Sequence, residues 1–555
     1  MRQSRVAVCA IVAMVSMPCV AAPAASFTDL AYVAKAVSPT PAGRYRNPIL
    51  PGFQPDPSIV RVGSDFYLVN STFAWFPGIP VYHSRDLVHW RQIGNAIDRP
   101  GMLDLDGLGT SRGVFAPAIS WHDGTFYILN TCVDCGGNFL ITARNPAGPW
   151  SDPVWLDFDG IDCSLFVDDN GTAWVVNNGP PPEKPRYDGH RAIWIQQFDL
   201  KKLRLFGPRK VLVDGGVRPQ DKPVWAEGPH IYKRGGWYYL MAAEGGTAEN
   251  HSETIYRSRR PDGPYQPGPI NPILTQRDLP ATRPNRVEAT GHADLVRLRD
   301  GSWWGVFLAT RPFAGQATLL GRETWLLPVN WKDGWPLFLP AGAPVPIEVK
   351  KPALPASPGS QWDRWRDDFS ERSLSPEWLR LRNPPRVRDY ALKDGNLVLL
   401  PGFDPAGSLG TPTFLGRRLR HPAATISTTV SFAPGKAGDF AGLLAFMDEA
   451  HFLAFGIEGG SGGKQLVARL RADTKQGETG ALVASAPAPA TGPVELRIAI
   501  DDGKASLSWR AAGKTWRTLA PSVEVEPLAS VHAGLFTGLV VGPYAVAGKE
   551  TVSRP

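Results

Sequence analysis

Asp56-Pro-Ser-Ile-Val60, carried through an Arg-Val-Gly-Ser turn into Asp65-Phe-Tyr-Leu-Val69, sets the pattern of the first half of the chain. A polar or small residue opens it, two small or Pro residues follow, and a short apolar run leads over a Gly-containing turn into an aromatic strand. The pattern returns four times. Ala116-Pro-Ala-Ile-Ser precedes GTFYIL (124–129), Asp162-Cys-Ser-Leu-Phe precedes GTAWVV (171–176), Glu227-Gly-Pro-His-Ile precedes GGWYYL (235–240), and His292-Ala-Asp-Leu-Val precedes GSWWGV (301–306). The openers lie 60, 46, 65 and 65 residues apart, the size of a propeller blade. Period-2 alternation in FYLVNSTF and WYYLMAAE reads as strand, and helical periodicity of useful length is absent. The expectation is an all-β chain with a five-bladed β-propeller over residues 46–340. Equivalent units place equivalent residues around one axis, so Asp56, Asp162, Glu227 and His292 are expected to converge on a single pit. Ala116 leaves room in the remaining slot.

A chain of 555 residues is too long for one ordinary core, so a second domain is expected. Residues 341–361, rich in Pro, Ala and Ser, read as a partly extended interdomain linker. From Trp362 to residue 555 short alternating strands (NLVLLP, TISTTVSFA, FLAFGIE, VELRIAI) recur without the first pattern, the mark of an antiparallel β-sandwich. Gly (57) and Pro (54) are abundant and Trp reaches 19, a mixture that suits short strands with tight turns and also suits sugar-facing walls. The net charge of +7 is scattered, with no basic helix or nucleic-acid motif, so no nucleic-acid partner is expected.

Residues 1–25 read as an export signal: Arg2 and Arg5 precede an apolar run from Val6 to Met17, with small-residue sites at Val20-Ala21-Ala22 and Ala24-Ala25-Ser26. The run is too short to span a membrane, and no later stretch is longer. Cys19 lies outside a convincing lipobox, which disfavours a lipid anchor. A periplasmic or secreted protein is expected, with residues 26–45 a flexible lead-in. Past the signal, Cys132 and Cys135 lack a second pair of metal ligands, so a local disulfide or free thiols are expected, and Cys163 reads as a packing residue.

Carboxyl groups held together in unequal environments are what glycoside hydrolysis needs, one protonated to serve the leaving oxygen and one ionised. Asp56, stiffened between Pro55 and Pro57, has the more rigid and polar setting. Glu227, beside Trp225 and Ala226, has the more apolar one, which raises a carboxyl pKa as a general acid requires. Asp162 stands between apolar neighbours in GIDCSLF.

The stretches NPILPGFQPDPSIV (47–60), STFAWFPGIPVYHSRDLVHW (71–90), GIDCSLFVDDNG (160–171), YDGHRAIW (187–194), AEGPHIYKRGGWYYL (226–240), TGHADLV (290–296) and GRETWLLPV (321–329) resemble glycoside hydrolase family 43. The likeness is strongest to its β-xylosidase and α-L-arabinofuranosidase members. Residues 362–555, with RDDFS (366–370) and GLFTGLVVGPYA (534–545), resemble the concanavalin-like sandwich that follows the propeller in that group. The resemblance implies inversion, with Asp56 as general base, Glu227 as general acid and Asp162 as the acid that tunes Glu227. It implies that Arg322 contacts sugar hydroxyls, that Phe73 and Trp75 wall the terminal sugar, and that Phe536 reaches toward the pocket mouth. His292 matches an axial histidine that in some members lies near a bound calcium ion, here expected through water; no organic cofactor is implied. Phe115 and Ala74 stand where members often carry Trp and Glu. The implied substrate is a plant-cell-wall oligosaccharide ending in β-D-xylose or α-L-arabinofuranose. Rival readings are a non-catalytic glycan-binding propeller, a structural β protein, and a retaining fructan-type hydrolase, whose WMNDPNG-type start, RDP and EC motifs are missing.

Overall fold

The computed structural model describes residues 23–35, 39–383, 389–501, 503–534 and 536–549, and the segment read as the core of an export signal lies outside them. The five expected units form five antiparallel blades. The first has the strand order Ser58–Val62, Asp65–Val69, Gly78–Ser84, Arg91–Ile97. The innermost strands of the other four are Ala118–His122, Ile161–Val167, Glu227–Arg234 and Glu288–Arg297. The aromatic strand follows each directly, as in Trp237–Glu244 paired with Glu227–Arg234. Alternation explains the arrangement: successive side chains face neighbouring blades, so Leu68, Ile128, Val176, Leu240 and Val306 are fully buried between them. Among the described residues the only helical pieces are two 3₁₀ turns, Pro219–Asp221 and Glu526–Leu528.

The ring closes through backbone rather than strand exchange. Leu50 and Thr324 exchange N–H···O bonds at 3.2 Å, and the Asn47 side chain donates to Leu326 O (2.9 Å) and accepts from Leu326 N (3.0 Å). The first blade is thereby fastened to Glu323–Lys332 of the fifth.

Two stretches read as loose are built into sheets. Residues 26–45 were expected to be a flexible lead-in, yet Ala25–Ala34 is a ten-residue strand in the centre of the sandwich, paired with Ala423–Ser431 on one side and with Asn396–Leu399 and Arg364–Asp367 on the other. Its sequence, ASFTDLAYVA, alternates: Phe27, Leu30 and Tyr32 are buried while their neighbours are less so. A short apolar alternation near the N-terminus is easily discounted, because its partners lie about 330–405 residues away. The stretch 341–361 is fastened to the propeller: Glu348–Lys350 pairs with Arg44–Arg46, and Ser360 N donates to Trp90 O at 3.0 Å.

The sandwich itself packs that eight-stranded sheet on a seven-stranded one built around Phe440–Asp448, His451–Gly460 and Val540–Val546. Its core includes Leu443, Phe455, Ile498 and Leu507, all 0% exposed. Phe27→Ala is expected to cost about 3–5 kcal/mol and to lower the thermal unfolding midpoint, as for a large aromatic removed from a core. An unchanged midpoint in a calorimetric scan would contradict a structural role for this segment.

Candidate active site

The inner strands start on a shared irregularity. Asp56 (φ 49°), Asp162 (φ 55°), Gly228 (φ 57°) and His292 (φ 52°) all occupy the left-handed region, which L-residues enter at a cost of about 1–2 kcal/mol and which Gly, Asp and His tolerate best. Each is followed by a small residue or Pro and then by the residue at which the ladder starts (Ser58) or resumes after a register shift (Ser164, His230 and Asp294). The true phase mate of Asp56 in the fourth blade is therefore Gly228, and Glu227 stands one residue earlier. The glycine is required twice over, because a Cβ there would also lie 3.0 Å from Nε2 of His292.

The three acids share one floor. Asp56, Asp162 and Glu227 are 5%, 7% and 6% exposed. The Ser71 hydroxyl donates to Asp56 Oδ2 at 2.5 Å, while Oδ1 faces Arg322 Nη1 at 3.6 Å and His292 Nδ1 at 3.9 Å. Asp56 thus has a hydroxyl donor on one oxygen and the Arg322 guanidinium and His292 imidazole facing the other. Asp162 Oδ2 accepts the Gly228 N–H at 3.2 Å. Burial pushes the Asp162 carboxyl up to about 6; His292 pulls against that shift, and the Asp56 charge adds to it. Glu227 is driven well above the ordinary carboxylate range, first by burial and then by the Asp162 charge, with Arg322 opposing. One carboxyl in a donor-rich setting and another biased toward its protonated form are what acid–base hydrolysis of an acetal uses.

Around the floor, Phe73, Phe115 and Phe536 form an aromatic cluster with ring centroids 5.3–6.0 Å apart, and Phe536 also covers the Arg322 guanidinium at 4.9 Å. Phe536 belongs to the sandwich. It is delivered by a close crossing in which Thr537 O sits 2.5 Å from where a Cβ on Gly321 would be, beside Arg322. Arg322 Nη2 donates to Thr247 O at 3.1 Å, and its Nε is buried without a protein partner.

Trp75 does not join this wall. It is 0% exposed, and its ring meets Phe414 (6.1 Å) and Phe446 (5.8 Å) of the sandwich, while Trp75–Phe76 pairs with Arg380–Leu381. Regular alternation would put Phe73 and Trp75 on one face, but the backbone is left-handed at Phe73 (φ 51°), and Trp75 packs into the domain seam while Phe73 stays with Phe115 and Phe536. Cys132 and Cys135 form a disulfide, and Cys163 is a buried free thiol. Among the described residues no group of three or more His, Cys, Asp or Glu side chains could hold a metal ion. The residues around His292 thus do not fit a directly liganded calcium, and no step is routed through one.

Residues 45–336 match Glycosyl hydrolases family 43, and residues 366–554 match the beta xylosidase C-terminal concanavalin A-like domain. The chain belongs to glycosyl hydrolase family 43. It is 36% identical to a xylosidase/arabinosidase of Butyrivibrio fibrisolvens, over 91% of this chain and 96% of that protein. It is 38% identical to a non-reducing end alpha-L-arabinofuranosidase of Bacteroides ovatus, over 92% and 93%. Among solved structures, a family 43 protein from the capybara gut metagenome superposes with a TM-score of 0.86 at 36% identity, covering 94% of this chain and 99% of that one. The xylan beta-1,4-xylosidase of Bacillus halodurans gives a TM-score of 0.83 at 33% identity, over 90% and 96%. As a family 43 member the protein is a glycosidase of the xylosidase/arabinosidase type, which sets aside the fructan-type alternative.

Ser71, Thr247 and His251 enter the site without having been singled out in the sequence. His251 packs its ring on Gly291, bonds Ala289 O through Nδ1 (3.0 Å), and is held neutral by burial, its pKa falling to about 3. No spacing marks such residues, since Ser71 meets Asp56 only because the second strand returns beside the first.

The raised Asp162 pKa carries a sign. Its protonated form is favoured by the fold, so that contribution is whole below the ordinary value of 3.8 and is lost as pH rises through about 6. Asp162→Asn, which stays neutral and can still accept the Gly228 N–H, is expected to melt above the wild type at pH 8, the gap closing toward pH 4. Equal midpoints across that range would contradict the assignment.

Proposed function

We propose that the protein is an inverting exo-glycosidase that releases terminal pentose, β-D-xylose or α-L-arabinofuranose, from xylan- or arabinan-derived oligosaccharides. The single observation that carries the reading is the unequal environment of Asp56 and Glu227 on one floor. Asp56, steadied by Ser71 and flanked by Arg322 and His292, takes a proton from a water as that water attacks the anomeric carbon. As the glycosidic C–O bond breaks, Glu227 gives its proton to the departing oxygen. Asp162 acts on Glu227 through space, its charge helping to keep the acid protonated near neutral pH. Arg322 and the Phe73, Phe115 and Phe536 rings hold the sugar, the guanidinium by its unpaired Nε and the rings by their faces.

The pentose specificity is supported by the names of the relatives, which span xylosidase and arabinofuranosidase. Export is supported by the basic start and apolar run at the N-terminus, and the mass of the protein recovered outside the cytoplasm tests it.

Asp56→Asn and Glu227→Gln are each expected to lower kcat on an unactivated oligosaccharide by roughly 10²–10⁴-fold or more, the usual worth of a positioned proton-transfer group, with the melting midpoint retained. Proton NMR of the first-formed sugar from wild type is expected to show the anomer opposite to that of the substrate. A product of retained configuration would overturn the role of Asp56, and wild-type turnover in either variant would reject the role assigned to the substituted residue.

A further inference from the structure

The seam between propeller and sandwich holds three guanidinium groups from one stretch, Arg417, Arg418 and Arg420. Arg417 lies over Trp365 (3.8 Å) and pairs with Glu377. Arg420 lies over Trp362 (3.9 Å), donates to Pro51 O (3.2 Å) and has Nη2 3.8 Å from the same Glu377. Arg418 differs. It is 2% exposed, and its Nε, Nη1 and Nη2 are all buried with no acceptor. No carboxylate among the described residues pairs with it; its nearest aromatic contact is the Phe53 ring, 5.5 Å from the guanidinium carbon. The titratable groups acting on it are the Tyr82 phenol and the like charge of Arg420.

A guanidinium carries five N–H donors and a full charge, and burying both uncompensated costs several kcal/mol. The backbone holds it there: Arg417–Arg418 pairs with Val540–Val546, and the neighbouring Leu419 N donates to Leu539 O at 2.8 Å. From the propeller side, Gly52 comes so close that a Cβ would sit 2.3 Å from Leu419 O. A water molecule could accept two of the N–H groups but leaves the charge uncompensated. A monovalent anion accepts several donors at once and offsets the uncompensated charge of Arg418, one of the two positive charges by which three guanidiniums exceed one shared carboxylate. Every nitrogen involved is shut off from solvent, so the ion must be small.

We propose that Arg418 holds a buried monovalent anion of the size of chloride, which compensates the Arg418 charge in the domain seam behind Phe53. The site is separate from the catalytic floor, since Phe53 stacks on Phe73 (6.0 Å) and Arg418 meets Phe53.

The test uses the full-length wild-type protein. Crystals grown in a halide-free salt and exchanged into bromide are expected to give an anomalous peak in contact with the Arg418 guanidinium. Density there that refines as water alone would overturn the proposal. In solution, the melting midpoint is expected to rise by several degrees when gluconate is replaced by chloride at matched ionic strength, and Arg418→Met is expected to lose that response. Equal midpoints of the wild type in the two salts would also overturn it. Should Arg418→Met not fold, the bromide experiment decides alone.

Discussion

The structure depends on hydrogen bonds that join four of the five pairs of adjacent inner strands just beyond the left-handed positions. Asp294 accepts Ser58 Oγ (2.7 Å), Ile59 N (2.8 Å) and Tyr232 Oη (2.7 Å), Ser58 Oγ accepts Ile119 N (3.0 Å), and Ser164 Oγ donates to Pro229 O (2.5 Å). These bonds tie neighbouring blades together at one height. With the ladder residues fixed, the left-handed residues just before them have nowhere to go but the axis. Strain at Asp56, Asp162 and His292 is held by the packing around them, and the chemistry sits where the strain is. A carboxylate carried on an ordinary strand would alternate into a blade interface.

The sandwich is part of the same device. It covers the pocket with Phe536, receives Trp75 into its own core, and is stitched to the propeller by Arg382, whose guanidinium donates to Leu108 O (2.7 Å) and pairs with Glu449. Glu449 in turn accepts the Thr110 hydroxyl at 2.8 Å. The loop 108–115 that carries Phe115 is therefore braced from the second domain. Coupling of this kind explains why the match to relatives runs over both domains at once.

The fold was legible where local chemistry repeats. Asp-Pro-Ser-Ile, Asp-Cys-Ser-Leu and His-Ala-Asp-Leu each announce a turn into a buried strand, and the aromatic strands after them need only period-2 reading. The fourth unit misled by one residue: Glu227 looks like the opener because it is charged, while backbone conformation assigns that place to Gly228. The strand Ala25–Ala34 was illegible because its partners lie at 364–367, 396–399 and 423–431, and a single sequence carries no trace of such distant pairing. Trp75 was misplaced because an aromatic in a pocket-lining motif and one in a domain seam look alike until a second domain is present.

The central claim is electrostatic: burial and the Asp162 charge keep Glu227 protonated while Asp56 stands beside the Arg322 guanidinium and the Ser71 hydroxyl on the same floor. Difference infrared spectroscopy of wild type against Glu227→Gln at neutral pH reads this most directly. The account predicts a protonated-carboxyl stretch that disappears in the variant and that, in Asp162→Asn, titrates away at lower pH than in wild type. A Glu227 found ionised at neutral pH, with no such band lost on substitution, would contradict it.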